Sequence, residues 1–77
     1  MAVSIVVPEL GKDKTSATIA KWLKAENDAV AEGDVLVVLE ATKATIEVEA
    51  PVSGVLVRIA RNAGEDVGIG DVLGVIE

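Results

Sequence analysis

The chain contains no cysteine, no histidine and only one aromatic residue, Trp22. Without cysteine there is neither a disulfide framework nor thiolate chemistry. Without histidine, Ser-His and Cys-His nucleophilic arrangements and imidazole metal sites are excluded as well. The formal charge of −6 argues against nucleic acid as a partner, because polyanions are bound by basic surfaces.

Long apolar runs are also missing, since the longest uncharged stretch is far short of the ~20 residues that span a bilayer. No membrane association is therefore expected. The N-terminus lacks the basic start and apolar block of a signal peptide, so we expect a cytoplasmic protein. Residues 1–77 should form one domain. A domain of this size leaves little room for an enclosed pocket, which favours a binding or carrier module over an autonomous enzyme.

The residues that are present favour strands. Hydrophobic residues make up 51% of the chain, and 14 of its residues are valine and 6 are isoleucine. Such β-branched side chains suit a pleated, half-buried surface. No segment shows a sustained apolar stripe with a period of 3.6 residues. The composition therefore predicts an all-β protein.

The two halves of the chain, residues 3–40 and 46–77, resemble each other. At an offset of 37 residues, Gly33-Asp34-Val35-Leu36 matches Gly70-Asp71-Val72-Leu73. Upstream the offset becomes 43, and it aligns Pro8 and Gly11 with Pro51 and Gly54. The difference of six residues is an insertion, roughly Lys12–Ala17, in the first half only. A repeat of this kind predicts two similar structural units related by an approximate two-fold axis.

Each half is predicted to contain three strands separated by turns. They are Val3–Val7, Thr18–Lys24 and Val35–Leu39 in the first half, and Thr45–Glu49, Val55–Arg61 and Val72–Ile76 in the second. In Thr45–Glu49 a period of two places Ile46 and Val48 on the core face and the carboxylates in water. We predict a flattened barrel or sandwich of two small antiparallel sheets. The C-terminal strand of one half should complete the sheet of the other and cover its edge.

The junction of the halves should be a tight hairpin, in which Ala41-Thr42-Lys43 joins two strands. It contains no glycine, asparagine or proline, the usual residues of a hairpin turn. Departures from a local rule often mark functional sites. The lysine at the tip, Lys43, is then either a solvated turn residue or a side chain displayed for modification.

The residues around this lysine resemble the lipoyl-attachment signature of 2-oxo acid dehydrogenase complexes. The similar stretch runs Glu40-Ala41-Thr42-Lys43-Ala44, then an alternating strand, then Ala50-Pro51-Val52-Ser53-Gly54. The resemblance covers the whole chain, since Val7–Gly11 looks like the opening strand and turn of the lipoyl domains in the acyltransferase components. Ala17–Trp22 is similar to their second strand, particularly in the succinyltransferase type. The family fold is a flattened β-barrel of two four-stranded sheets with quasi-two-fold symmetry.

This resemblance implies that Lys43 carries lipoate in amide linkage and that the domain is a non-catalytic swinging-arm carrier. Such a carrier moves acyl groups and reducing equivalents between a 2-oxo acid decarboxylase, the acyltransferase core and dihydrolipoamide dehydrogenase, after a lipoate ligase or lipoyl transferase has loaded it. The resemblance also implies that Glu40, Thr42 and Ala44 are recognised by the modifying enzyme or by partners. No catalytic residue and no metal site is expected.

Two alternatives remain open at this point. The biotinyl carrier domain shares the fold, but its signature is Ala-Met-Lys-Met, and this chain has Thr42 and Ala44 in place of the methionines. An unmodified β-module with a protein-binding role is the other, because Thr42 stands where lipoyl domains of acyltransferases usually have aspartate. Retention of Glu40, Ala44, Pro51 and Gly54 around the lysine favours the lipoyl carrier.

Two further hypotheses concern residues outside the hairpin. In the family fold the first strand pairs near the central hairpin, so the Lys12–Ala17 insertion should lie close to Lys43. It is either a variable surface loop or a contact for the decarboxylase. Trp22 should lie in the core, because its counterpart in the repeat, Ile59, is apolar.

Overall fold

The computed structural model describes residues 2–11 and 14–77, and its regular structure there consists of eight strands without a helix. The strands are β1 (Val3–Val6), β2 (Ser16–Trp22), β3 (Ala29–Val30), β4 (Val35–Ala41), β5 (Ala44–Glu49), β6 (Gly54–Ile59), β7 (Asp66–Gly68) and β8 (Val72–Ile76). Within this part of the chain no helix could cross a membrane. The predicted all-β class is confirmed.

The strands form two four-stranded antiparallel sheets. Sheet A has the order β1-β8-β6-β3, and sheet B has the order β5-β4-β2-β7. Exchanging β1 with β5, β2 with β6, β3 with β7 and β4 with β8 converts one order into the other. This is the predicted quasi-two-fold symmetry. Each sheet takes two strands from each half, so neither half can form a complete sheet alone.

Several details of the sequence prediction were wrong. The short strands β3 and β7 were not predicted, because two or three residues between turns show no periodicity. The C-terminal strands of the halves, β4 and β8, do pair with strands of the other half, but they lie inside the sheets, and β1, β3, β5 and β7 form the edges. Predicted ends shifted by one or two residues where strands run into turns, as at β2 and β6.

Matched backbone hydrogen bonds join the two halves at the ends of β1 and β5. In the Gly70-Asp71 turn, the Asp71 carbonyl accepts from the Val7 amide at 3.0 Å, and the Gly70 amide donates to the Val7 carbonyl at 3.0 Å. Ala50, the counterpart of Val7, is held in the same way by the Gly33-Asp34 turn, at 2.8 and 3.0 Å. Each half therefore anchors the chain that leaves the first strand of the other.

The core lies between the two sheets and is entirely apolar in the described chain. Its buried residues are Ile5, Val7, Leu10, Ala17, Ile19, Val30, Leu36, Val37, Leu39, Val48, Ala50, Leu56, Val67, Leu73 and Ile76. Trp22 was predicted to lie in the core; it is half-buried and packs against the core, and its Nε1 donates to the Arg61 carbonyl at 2.8 Å. A Cβ atom on Gly74 would lie 2.6 Å from the Arg58 carbonyl oxygen and 3.3 Å from Trp22 Cη2. The missing side chain of Gly74 thus allows the close approach of the β6 backbone and of the indole ring.

The symmetry yields a stability prediction for the turns. Gly33 and Gly70 have φ of 92° and 87°, and a Cβ on either would meet nothing within 4 Å. Replacement by alanine should therefore cost only the left-handed backbone penalty, about 1–2 kcal/mol at each site. Urea unfolding followed by Trp22 fluorescence would measure both costs, which we expect to be equal.

The control for these turns is Gly64→Asn. Gly64 has φ of 91°, and its counterpart in the first half is Asn27, with φ of 76°. Asparagine tolerates this conformation, so Gly64→Asn should cost less than either alanine substitution. A Gly64→Asn variant as unstable as Gly33→Ala would contradict the backbone explanation.

Candidate functional site

The hairpin at the junction of the halves has a two-residue tip. Ala41 and Ala44 are register partners, as are Glu40 and Thr45, so only Thr42 and Lys43 lie between the strands. Ala41 was predicted to lie in the turn, but it is the last residue of β4. Both tip residues are exposed. The structure therefore places Lys43 at the end of sheet B.

Lys43 has a left-handed backbone conformation, with φ of 59°. Asn27 is the other non-glycine residue with positive φ in the described chain. An L-residue other than glycine or asparagine is disfavoured there, by about 1–2 kcal/mol. Hairpin tips normally use glycine or asparagine at such positions. Lys43 thus occupies a position whose backbone conformation favours glycine or asparagine. Local backbone strain of this kind is often found at functional sites.

The amine of Lys43 is free of partners in the described part of the structure. Across residues 2–11 and 14–77, the one ion pair within 4 Å joins Arg61 to Glu65, at 3.7 Å, and Lys43 makes no side-chain hydrogen bond. A lysine has a flexible four-carbon stem that ends in one primary amine. The geometry can therefore present that amine to an enzyme without unfolding the domain.

The other residues predicted to matter at the hairpin lie close to the tip. Thr42 precedes Lys43 and is exposed, and Ala44 is half-buried at the start of β5. Glu40 is exposed on the outer face of sheet B, where Thr18 and Thr45 are its register partners. The structure thus brings Glu40, Thr42 and Lys43 to one end of the domain. Their predicted roles in recognition stay predictions.

The alternation predicted for the strand after the hairpin is confirmed. Val48 is buried and Ile46 packs against the core, whereas Glu47 and Glu49 are exposed. These carboxylates share the outer face of sheet B with Glu40. Among the described residues, no group of three or more Asp, Glu, His or Cys side chains could hold a metal ion.

The inserted loop of the first half ends at Thr15, since Ser16 already belongs to β2. The predicted alignment of Gly11 with Gly54 was wrong, because Gly54 opens β6 whereas Gly11 lies before β2 with φ of 114°. Lys12 and Asp13 lie outside the described residues. Thr18 faces Glu40 in the register, so Ser16 lies two residues nearer the hairpin end of sheet B. The last residues of the loop are therefore at the end that carries Lys43.

Sequence reasoning did not find the groove between the edge strands β1 and β5. It has a volume of about 270 Å³ and is lined by Ser4, Ile5, Val6, Pro8, Glu47, Val48, Glu49 and Pro51. The two strands belong to different sheets, so only the packing of one sheet on the other creates it. The matching prolines, Pro8 and Pro51, were the one sequence signal that these segments are equivalent.

A two-sheet fold with a displayed lysine on a central hairpin defines a class of attachment domains. The sequence profile of the Biotin_lipoyl family, described as "Biotin-requiring enzyme", matches residues 3–76. The chain is also similar to the solution structure of the lipoyl domain of the 2-oxoglutarate dehydrogenase complex from Azotobacter vinelandii, with a TM-score of 0.78 and 31% identity. That match covers 97% of this chain and 95% of the other. The chain therefore belongs to the Biotin_lipoyl family and, within it, to the lipoyl domains.

Two further similarities show the breadth of this family. The dihydrolipoyllysine-residue succinyltransferase component of the 2-oxoglutarate dehydrogenase complex of Rickettsia felis is 43% identical over 99% of this chain, which spans 19% of that relative's length. The urea carboxylase of Kluyveromyces lactis contains a region with a TM-score of 0.85 and 27% identity, which covers the whole of this chain and 6% of that protein. The same fold therefore occurs both in a component of a dehydrogenase complex and in a region of a carboxylase.

The backbone at the hairpin tip yields a second stability prediction. Asparagine tolerates positive φ, whereas alanine does not. The Lys43→Asn variant should therefore be more stable than Lys43→Ala, by about 0.5–1 kcal/mol. Both variants lack the amine, so the comparison isolates the backbone. Equal urea midpoints for the two, measured by Trp22 fluorescence, would show that the tip is not strained.

Proposed function

We propose that this domain is a swinging-arm carrier that bears lipoate on Lys43 and has no catalytic activity of its own. The observation that supports this most is the position of Lys43, an exposed and unpaired lysine in a left-handed conformation at a two-residue hairpin tip. That position occurs in a chain that belongs to the lipoyl domains.

The residues at the tip fit covalent attachment of a carboxylic acid. A ligase forms an amide between the ε-nitrogen and the lipoate carboxyl group, which removes the positive charge of the lysine. When attached, lipoate supplies a disulfide ring that can accept an acyl group together with two electrons. The protein holds the attachment point on a rigid pair of strands. The side chain of Lys43 itself stays mobile, because nothing in the described chain binds it.

The partners follow from the same proposal. The carrier would serve a 2-oxo acid decarboxylase, an acyltransferase core and dihydrolipoamide dehydrogenase, and would be loaded by a lipoate ligase or lipoyl transferase in the cytoplasm. Tethering of the carrier keeps the reacting group at a high local concentration near each active site. The names of the similar proteins, which are parts of 2-oxoglutarate dehydrogenase complexes, support this assignment.

Mass spectrometry of the intact domain tests the attachment directly. After incubation with a lipoate ligase, lipoic acid and ATP, the parent chain should gain the mass of one lipoyl amide. The Lys43→Arg variant keeps the charge and the fold but should gain nothing. A biotin adduct with a biotin ligase, and no lipoyl adduct, would assign the domain to biotin carriers. No adduct with either enzyme would leave an unmodified β-module.

A second test concerns recognition of the hairpin by the ligase. Glu40 lies beside the tip, and a charge-assisted hydrogen bond to it should contribute about 1.5–3 kcal/mol. Glu40→Gln should therefore lower kcat/KM for lipoylation by about tenfold or more. Thr42→Asp, which creates the residue usual in acyltransferase lipoyl domains, should leave lipoylation intact or raise it.

The matched control for Glu40 is Glu47→Gln. Glu47 lies on the same outer face as Glu40 but on β5, where its register partner is Val38. The register pair of Glu40 and Thr45 is two residues closer to the hairpin tip. Its substitution removes the same charge at a greater distance from Lys43, so lipoylation should be nearly unchanged. Equal losses in both variants would indicate a general charge effect instead of recognition at the tip.

A further inference from the structure

A row of polar side chains crosses the outer face of sheet B beside the hairpin. Its members, one from each strand of the sheet, are Asp66, Thr18, Glu40 and Thr45. Each neighbouring pair in the row is a register pair. Thr18 points away from the core, because both of its neighbours in β2 are buried. Glu40 thus stands between two threonines, close to the tip that carries Lys43.

The hydroxyl group of Thr18 is committed to one side of this row. Its Oγ1 donates to Asp66 Oδ1 at 2.8 Å, and within residues 2–11 and 14–77 this is the one hydrogen bond between two side chains. A threonine has a single O–H donor, so Thr18 cannot donate to Glu40 at the same time. Because β7 and β4 lie on opposite sides of β2, the two acceptors require different χ1 rotamers of Thr18.

The carboxylate of Glu40 is left without a donor inside the described part of the domain. No side chain there donates a hydrogen bond to it, and it takes part in no ion pair. Thr45, the other neighbour of Glu40 in the row, makes no side-chain hydrogen bond in these ranges either. A carboxylate that is already bonded within its own domain must give up that bond before a partner can bind it. The oxygens of Glu40 are therefore ready for a donor from outside.

The equivalent row of sheet A shows that the fold does not require the pair of Thr18 and Asp66. In the order of the row in sheet B, the residues at the matching positions are Ala29, Val55, Glu77 and Ala2. Ala29 and Val55 are register partners, and Val55 and Glu77 exchange backbone hydrogen bonds at 2.8 and 2.9 Å. The glutamate is common to both rows, whereas the hydrogen-bonded pair occurs only beside the lysine. The pair is therefore a property of the hairpin end and not of the architecture.

We propose that Asp66 is a positioning residue for the lipoylation of Lys43. It holds the Thr18 hydroxyl away from Glu40, and so keeps that carboxylate free for the lipoate ligase. This inference rests on the proposed function, in which the ligase recognises Glu40. Asp66 needs no contact with the ligase or with lipoate. Without it, Thr18 would turn towards β4 and donate to Glu40, in competition with the ligase.

Lipoylation kinetics of matched variants test this role. Asp66→Ala removes the acceptor, and the fold accepts alanine at the matching Ala29. In this variant kcat/KM for lipoylation should fall by about three- to tenfold, because one competing hydrogen bond must be broken. Thr18→Val/Asp66→Ala also lacks the competing hydroxyl and should return kcat/KM to near the parent value. Measured against Thr18→Val alone, the loss of Asp66 should therefore have no effect.

The matched control is Asp66→Asn. Asparagine loses the charge but keeps a side-chain oxygen that accepts from Thr18, so this variant should retain most of the parent kcat/KM. An equal loss in Asp66→Asn and Asp66→Ala would show a general effect of charge and overturn the positioning role. A double variant, Thr18→Val/Asp66→Ala, as slow as Asp66→Ala would overturn it as well.

The rotamer of Thr18 provides a readout that does not involve the ligase. Three-bond NMR couplings to Thr18 Cγ2, measured on the unmodified domain, report its χ1 angle. In the parent and in Asp66→Ser, which keeps a hydroxyl acceptor, Oγ1 should point towards β7. In Asp66→Ala the population should move to the rotamer that points towards β4. Unchanged couplings in Asp66→Ala would contradict the proposal, since a merely structural role of Asp66 does not turn Thr18 towards Glu40.

The carrier function and the positioning role fail in different ways. A parent domain that gains no lipoyl group contradicts the carrier function, and the positioning role is then wrong with it. A parent that is lipoylated, with Asp66→Ala equal to it in kcat/KM, contradicts only the positioning role. Trp22 fluorescence shows independently that each variant is folded.

Discussion

The structure depends on the exchange of strands between its two halves. Each sheet contains strands of both halves. Backbone hydrogen bonds fix this exchange, since they join Val7 to the Gly70-Asp71 turn and Ala50 to the Gly33-Asp34 turn. Val7 and Ala50 are buried, so the loss of these bonds would leave their backbone amide and carbonyl groups unpaired in the core. The single hairpin between β4 and β5 connects the halves covalently. The tip that carries Lys43 is therefore held by six register pairs on strands that the rest of the fold fixes from both sides.

This rigidity explains how an unfavourable backbone conformation persists at the tip. A lysine with φ of 59° would relax in an isolated hairpin, but β4 lies inside sheet B, paired with both β2 and β5. The surrounding structure determines the conformation of the turn, although the backbone of a lysine prefers negative φ. In the function that we propose, the strain has a use, because it fixes the base of a side chain whose end must move.

Much of the architecture could be predicted from the sequence. The offset between Gly33-Asp34 and Gly70-Asp71 indicated the symmetry, and the alternation through Ile46 and Val48 indicated which side of β5 is buried. The strand Ala29–Val30 could not be predicted, since two residues have no period and are held only by pairing with β6. At the site, the residues around Lys43 indicated its role by resemblance. Its left-handed backbone could not be predicted, because no local signal, such as a glycine, marks it.

The outer faces show what repeat analysis alone does not reveal. The alternation of apolar and polar residues predicts that Val6 and Glu49 both point outward, but it does not predict which strands share a sheet. Only the order β1-β8-β6 brings Val6, Val72 and Arg58 onto one surface. The symmetry then serves as an internal comparison, because each residue has a counterpart in the same backbone environment. Where counterparts agree, as at Gly33 and Gly70, the fold requires the residue. Where they differ, as at Val55 and Thr18, the fold accepts either residue, so the difference is not a requirement of the architecture.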